Sequence, residues 1–243
     1  YKNPIGFGIA KVDRGQINKD KILQATFPLI NWNENFGSAA VFLNALKVAG
    51  ENVDTTKSEL VFKISDEFLT SCIEAFRPFI PEAKGDAHKN VQVISTLASL
   101  PIDSGLTADD YRVVFIFEDA APETTEAVYL KLYALSTGKA ALRSLNLTGA
   151  FGKLHNCAWV GNQPIELDWL RANEIVLKLS GKYPNIDMVD KFPRFLQHII
   201  PADNTRILET SKVRMGAQLA AGTTVMPGAA YVNFNAGTLG AVM

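Results

Sequence analysis

Cationic side chains that could bind an anion are concentrated near the end of the chain. Residues 204–243 contain three basic residues and one acidic residue, Glu209, so this stretch carries a local charge of +2. The basic residues are Arg206, Lys212 and Arg214. The whole chain of 243 residues has a formal charge of −1. Because Arg and Lys pair with carboxylates and phosphates, the stretch is suited to binding a small anionic ligand.

Two asparagines in the same stretch, Asn233 and Asn235, could orient a ligand, because an amide group both donates and accepts hydrogen bonds. Arg214 follows the apolar Val213 and is expected to point away from the core, where it could meet a carboxylate. These three polar residues are therefore the candidate binding residues. The alternatives are a solvated surface arginine and asparagines that bond only to the backbone at tight corners.

Other chemistries find little support in the sequence. His88, His155 and His198 show no metal-ligand spacing, so they predict no metal site. Cys72 and Cys157 form no CxxC pair, and two cysteines exclude a disulfide scaffold. The chain lacks both a GxGxxG loop and a P-loop lysine, which argues against a nucleotidyltransferase domain. We expect no tightly bound cofactor.

The candidate binding residues lie in a repeat of six residues. The apolar positions are Ile207, Val213, Leu219, Val225 and Tyr231, and two positions before them stand the small residues Thr205, Ser211, Ala217, Thr223 and Ala229. A period of six fits neither a helix nor a free strand and is typical of a parallel β-helix. The alternative is a Gly-rich loop followed by two strands. Since one coil takes about eighteen residues, residues 204–243 supply about two coils, and we expect the β-helix to be truncated.

The preceding residues alternate between strand and helix patterns, which predicts an α/β region. Strands are predicted at 7–12, 60–64 and 111–117, the last one buried on both faces. Helices are predicted at 38–48 and directly after Ser65, which can cap a helix N-terminus. A third helix is predicted near 123–137, with Pro122 in an early position. A fourth is predicted at 167–180, with an apolar stripe of Trp169, Ala172, Val176 and Leu179. The expected fold is an N-terminal α/β domain at 1–203, with a subdomain break near 105–110, and the first coils of a β-helix at 204–243.

The composition is that of a globular protein. Hydrophobic residues make up 47% and charged residues 20% of the chain, which excludes a disordered protein. The balanced charge argues against a nucleic-acid binder. No apolar run approaches the roughly 18–20 residues that span a bilayer, and the first residues lack the pattern of a signal peptide. We therefore expect a cytoplasmic protein with neither a nucleic-acid nor a membrane partner.

Several segments resemble the tetrahydrodipicolinate N-succinyltransferase family. They are Ala158-Trp159-Val160, Asp190-Lys191-Phe192-Pro193-Arg194, Ile199-Ile200-Pro201, Val213-Arg214-Met215-Gly216-Ala217, Gly222-Thr223-Thr224-Val225-Met226-Pro227-Gly228 and Tyr231-Val232-Asn233-Phe234-Asn235-Ala236-Gly237-Thr238. The resemblance implies left-handed β-helices in a homotrimer. It also implies transfer of a succinyl group from succinyl-CoA to the amino group of ring-opened tetrahydrodipicolinate, in bacterial lysine and diaminopimelate biosynthesis.

The resemblance implies an active site in the cleft between neighbouring β-helices of the trimer. There Arg214, Asn233 and Asn235 would bind substrate, because both substrates carry carboxylates. The catalytic acid of the family follows the stretch that resembles residues 237–243, so we expect the general base beyond Met243 and an inactive 243-residue fragment. An acetyl-CoA donor, a non-catalytic trimerising chain and a divalent cation at the trimer axis stay open.

Overall fold

A computed structural model describes residues 2–100 and 107–243 of the chain. The contacts within it divide into two compact units. The first unit comprises residues 1–12 and 26–120, and the second comprises residues 13–25 and 121–243. The subdomain break predicted near 105–110 falls partly on residues 101–106, which lie outside the described residues. The predicted division at residue 203 stays a prediction.

The first unit contains three α-helices and most of a four-stranded sheet, of which residues 13–14 and 22–25 in the first two strands are counted with the second unit. In chain order its elements are β1 (Gly6–Arg14), β2 (Ile22–Trp32), α1 (Phe36–Val48), β3 (Glu59–Lys63), α2 (Asp66–Phe76), α3 (Lys89–Ser99) and β4 (Tyr111–Ile116). The strand order is β2-β1-β4-β3. The predicted strand β4 is confirmed and lies inside the sheet, where it pairs antiparallel with β1 and β3. Its residues after Tyr111 are all buried.

Local signals set the helix boundaries in this unit. The Ser65 hydroxyl accepts the N–H of Phe68 at 3.2 Å and thereby caps α2 as predicted. Gly50 follows the end of α1 with a φ of 84°, a left-handed conformation that glycine adopts without strain. Phe68 and Phe76 of α2 pack on Phe42 of α1, with ring centroids 5.9 and 6.0 Å apart. These aromatic contacts form part of the core of the first unit.

A fully buried helix, α4 (Thr125–Ser136), lies in the second unit. The Thr124 hydroxyl accepts the N–H of Ala127 at 3.1 Å, so the helix begins directly after Thr124. The prediction that Pro122 occupies an early helical position was wrong, because this cap sets the start at Thr125. Gly138 follows the end of the helix with a φ of 71°, a left-handed conformation that glycine adopts without strain.

A three-stranded antiparallel sheet follows in the second unit. The elements are α5 (Ala150–Lys153), β5 (Cys157–Val160), β6 (Gln163–Glu166), α6 (Leu167–Leu179) and β7 (Met188–Asp190), with the strand order β6-β5-β7. Cys157 of β5 lies opposite both Glu166 and Asp190. The Trp159 indole N–H donates to the backbone carbonyl of Asp190 at 2.9 Å. Asp190 is therefore held at the end of a paired strand.

Helix α6 has the predicted bounds but presents a different face to its unit. Of the predicted stripe, Val176 is 59% and Leu179 is 86% exposed. The only buried residue of the helix is Leu170, and Leu177, seven positions later, is half-buried. The predicted stripe was wrong because the inward face, centred on Leu170 and Leu177, lies about 130° round the helix from it. Among the described helices, none has the length and apolar character that crossing a bilayer requires.

In the last forty residues the chain pairs in parallel with itself. Strand β8 (Arg206–Ile207) pairs with β9 (Thr224–Val225), at a separation of 18 residues, and single bridges join Val213 to Val232 and Gln218 to Gly237, at a separation of 19. Val213 and Val225 are buried, as the period of six predicts, but Tyr231 is 45% exposed. The prediction for Tyr231 was wrong because one extra residue after Val225 places Val232 opposite Val213.

Candidate functional site

One carboxylate and two guanidinium groups form a cluster where β7 meets the repeats. An antiparallel bridge sets Arg194 beside Arg214, and Asp190 lies between their side chains. Asp190 Oδ2 accepts from Arg194 Nη1 at 2.7 Å and from Arg214 Nε at 3.0 Å, while Oδ1 accepts from Arg214 Nη2 at 2.9 Å. The three side chains are 11–18% exposed. We call this group the Asp190 cluster.

The Asp190 cluster keeps a positive charge while all of its members are ionised. Two guanidinium groups and one carboxylate sum to +1. Burial by itself raises the pKa of the Asp190 carboxyl, but the hydrogen bonds from Arg194 and Arg214 outweigh burial and hold that pKa below its usual value. The carboxylate is therefore ionised at neutral pH, and the cluster attracts an anion.

Arg214 lies among aromatic side chains and next to one of the predicted asparagines. The Asn233 side-chain oxygen accepts from Arg214 Nη1 at 3.0 Å, so the structure brings these two candidate residues together. The guanidinium carbon of Arg214 lies 5.1 Å from the ring centroid of Phe192 and 5.5 Å from that of Tyr231. Phe192 is buried and stacks on Phe234 at 4.5 Å. Cation–π contacts of this kind restrict the motion of the guanidinium group.

Asn235 has a different environment. Its backbone is left-handed, with a φ of 57°, and its N–H donates to the carbonyl of Gly216 at 2.8 Å. Its side-chain oxygen accepts the backbone N–H of Arg143 at 2.9 Å. These contacts are those of a corner residue, the alternative that the sequence left open. A role for Asn235 in substrate binding stays a prediction.

A cavity of about 350 Å³ opens beside Arg194. Gln197, Asp187 and Ser211 are among its polar lining residues. Arg194 Nε is buried and has no hydrogen-bond acceptor within the described part of the chain. The ring centroid of Tyr231 lies 5.9 Å from the Arg194 guanidinium carbon. The cavity thus adjoins the Asp190 cluster and offers space for a small ligand.

The remaining titratable candidates have structural surroundings. His198 is buried, with its ring nitrogens 2.6 Å from the Tyr133 hydroxyl and 2.7 Å from the Gln24 side-chain oxygen, and burial lowers its pKa to about 3. Glu209 accepts from the backbone N–H and the hydroxyl of Ser211. Residues 2–100 and 107–243 contain no group of three His, Cys, Asp or Glu side chains arranged for a metal ion.

A second cavity, about 410 Å³ in volume, lies in the first unit between α3 and the sheet. Its lining is mainly apolar and includes Leu29, Val93 and Leu97, with Lys11 and Lys89 as its charged members. Arg214, Asn233 and Asn235 line neither cavity, but the smaller cavity is lined by Arg194 of the Asp190 cluster, whereas no member of that cluster lines the larger one. The geometry therefore favours the Asp190 cluster as the candidate site.

The sequence reasoning missed the roles of Asp190 and Arg194. Both belong to the segment that resembles the family, but no chemistry was assigned to either. The available signal in the sequence was the pair of opposite charges Asp190 and Arg194, four residues apart and next to two apolar residues. The second partner of Asp190, Arg214, lies 24 residues further along the chain, and sequence spacing alone does not predict that pairing.

Comparisons with known proteins identify the family. Residues 1–152 match the family model described as tetrahydrodipicolinate N-succinyltransferase N-terminal, and residues 154–194 match the model of the middle region of the same family. A 2,3,4,5-tetrahydropyridine-2,6-dicarboxylate N-succinyltransferase from Sulfurovum sp. (strain NBC37-1) is 67% identical over 243 residues, which are 100% of this chain and 60% of the relative. The protein of the same name from Campylobacter jejuni is 56% identical, with 61% of its length covered.

A solved structure agrees with these matches. It is a crystal structure of a 2,3,4,5-tetrahydropyridine-2-carboxylate N-succinyltransferase from Campylobacter jejuni, with a TM-score of 0.92 and 56% sequence identity. The match covers 99% of this chain and 61% of that one. The chain thus spans about three fifths of the length of the relatives it matches. It belongs to the tetrahydrodipicolinate N-succinyltransferase family.

Proposed function

We propose that the full-length protein transfers the succinyl group of succinyl-CoA to the amino group of ring-opened tetrahydrodipicolinate, in bacterial lysine and diaminopimelate biosynthesis. The observation that carries this proposal is the 67% identity, along all 243 residues, with a relative that bears the name of this activity. The family match over residues 1–152 and 154–194 supports the same proposal.

The proposed reaction balances without a tightly bound cofactor. The neutral amine attacks the thioester carbonyl carbon, a C–N bond forms, and the C–S bond breaks. The CoA sulfur leaves as a thiolate, and a base takes the proton that the amine loses. The carbonyl oxygen is negatively charged in the transition state and requires preoriented N–H donors. Succinyl-CoA is thus a co-substrate.

Arg214 and Asn233 are proposed to bind a substrate carboxylate. The acceptor carries two carboxylates, and the donor carries one on its succinyl group. The net charge of +1 on the Asp190 cluster supports this role, because a guanidinium group attracts a carboxylate and donates charge-assisted hydrogen bonds to it. Asn235 would contribute through its amide nitrogen, since its oxygen already accepts from Arg143.

The assembly is also proposed. The parallel pairings 18 and 19 residues apart support a left-handed β-helix of hexapeptide repeats that starts at residue 204, after an N-terminal domain at 1–203. We propose a homotrimer in which neighbouring β-helices form the active site. We also propose a cytoplasmic location, since the co-substrate is a CoA thioester of central metabolism.

Release of CoA thiol tests the activity. The full-length protein is incubated with tetrahydrodipicolinate and either succinyl-CoA or acetyl-CoA, and the thiol is followed with a chromogenic disulfide. Turnover that requires the acceptor and is faster with succinyl-CoA supports the proposal. Turnover with acetyl-CoA alone makes the protein an acetyltransferase, and no turnover with either donor from a folded, full-length sample overturns the enzyme proposal.

A further inference from the structure

Two N–H groups of Arg214 are left for a ligand. A guanidinium group has five N–H donors. Asp190 accepts from Nε and Nη2, and Asn233 accepts from Nη1, which uses three of the five. Within the described part of the chain, one N–H on each terminal nitrogen has no acceptor. A carboxylate that approaches the terminal nitrogens can therefore accept from N–H groups that the protein leaves free.

The carboxylate that orients Arg214 is itself held in place. Asp190 Oδ1 accepts the backbone N–H of Lys191 at 2.7 Å, and Oδ2 accepts from Arg194 at 2.7 Å. Its backbone carbonyl accepts from the Trp159 indole at 2.9 Å, within the pairing of β7 with β5. Asp190 therefore cannot follow a rotation of the Arg214 side chain, and the bidentate contact fixes the plane of the guanidinium group.

The negative charge of Asp190 and its role in orienting Arg214 predict opposite effects on substrate binding when Asp190 is replaced by a neutral residue. Its negative charge lowers the attraction of the cluster for an anion, so an effect of charge alone would let a neutral residue here bind substrate more tightly. Its two acceptor oxygens orient Arg214, so an effect of orientation would make the same replacement weaken binding. Whether substrate binding becomes tighter or weaker in such a variant therefore distinguishes an effect of charge from an effect of orientation.

We propose that Asp190 is a positioning residue that turns the two remaining N–H groups of Arg214 toward a substrate carboxylate. This inference rests on the proposed function, in which Arg214 binds such a carboxylate. In Asp190→Asn the amide NH₂ replaces one acceptor oxygen and faces the Arg donors, so the bidentate contact is lost. The binding of the carboxylate substrate then weakens although the local positive charge rises.

The test measures KM and kcat of the full-length protein for both substrates. We expect Asp190→Asn to raise the KM of one carboxylate substrate about tenfold to a hundredfold, the range that a charged hydrogen bond is worth, with a smaller change in kcat. Arg214→Lys should raise the KM of the same substrate, and the double variant should be no worse than Arg214→Lys alone. Asp168→Asn is the matched control, because Asp168 forms an exposed pair with Arg171 at 2.6 Å on α6.

The outcomes distinguish this inference from the proposed function. An inactive wild-type protein overturns the proposed function. An active wild type in which Asp190→Asn leaves both KM values unchanged, lowers one, or acts additively with Arg214→Lys overturns the positioning role. If Asp190→Asn does not fold, Asp190→Glu replaces it, since it keeps the charge and shifts the carboxylate by one methylene. A raised KM in this variant supports positioning, and an unchanged KM contradicts it.

Discussion

Replacing Gly216 by alanine tests how tightly the repeats pack on the buried helix α4. Gly216 has a φ of 91°, and an added Cβ would lie 2.5 Å from Leu132 Cδ2 and 2.9 Å from Phe234 Cβ. The Gly216 N–H donates to the Ser136 hydroxyl at 2.8 Å, so the backbone cannot move away without losing that bond. Both neighbours and the backbone therefore resist the new methyl group.

The expected loss in the free energy of unfolding of Gly216→Ala has two contributions. A left-handed conformation costs a residue with a Cβ about 1–2 kcal/mol relative to glycine. Overpacking against Leu132 adds about 1–3 kcal/mol. The free energy of unfolding should thus fall by about 2–5 kcal/mol in Gly216→Ala. Gly181→Ala is the matched control, because Gly181 has a φ of 70° with open space around it and should show only the conformational part.

Urea unfolding of the 243-residue chain, followed by tryptophan fluorescence, compares the two variants. A third variant combines Gly216→Ala with Leu132→Ala, which removes the side chain that the new methyl group meets. The double variant should then be more stable than the sum of the two single effects predicts. Equal losses in Gly216→Ala and Gly181→Ala, or strict additivity with Leu132→Ala, would refute the packing argument.

Two further predictions follow from buried titratable groups. Because burial lowers the pKa of His198 to about 3, against an ordinary value of about 6.5, its contribution to stability is complete above pH 6.5 and is lost as the pH falls from 6.5 toward 3. Urea unfolding at pH 7, 6 and 5 should show a loss of stability that steepens as the pH falls, to roughly 1 kcal/mol between pH 6 and 5, and that is absent in His198→Gln; the same pH dependence in both proteins contradicts this assignment. Burial also raises the pKa of the Cys72 thiol to about 12 and that of Cys157 to about 11, so neither should react with a chromogenic disulfide at pH 8 until the chain is unfolded in urea. Rapid labelling of either thiol in the native protein would show that its surroundings open.

Elements with a strong local signal were predictable from the sequence. The Ser65 cap, the apolar run of β4 and the glycines that follow α1, α4 and α6 each depend on residues within one or two turns of chain. The period of six correctly predicted that Val213 and Val225 are buried. The same period placed Arg214 at an outward position, which made it a candidate site residue.

Other features depend on contacts between residues that are distant in the chain. One extra residue after Val225 moves Tyr231 out of the inward row and beside Arg194 and Arg214, and a pattern that assumes strict repetition cannot detect it. The apolar stripe of α6 was misassigned for a related reason. The face that a helix buries depends on what it packs against, and Leu170 points inward while Leu179 does not.

The candidate site shows most clearly which features the amino-acid sequence determined and which the tertiary structure determined. The amino-acid sequence alone determined the residue types, the local positive charge and the family resemblance that led to Arg214 and Asn233. The tertiary structure decided that Asp190 lies between Arg194 and Arg214, because antiparallel pairing at β7 and parallel pairing in the repeats bring together residues 24 positions apart. A buried ion pair of this kind is stable only when backbone and side-chain hydrogen bonds hold its members in position, and those bonds exist only in the folded chain.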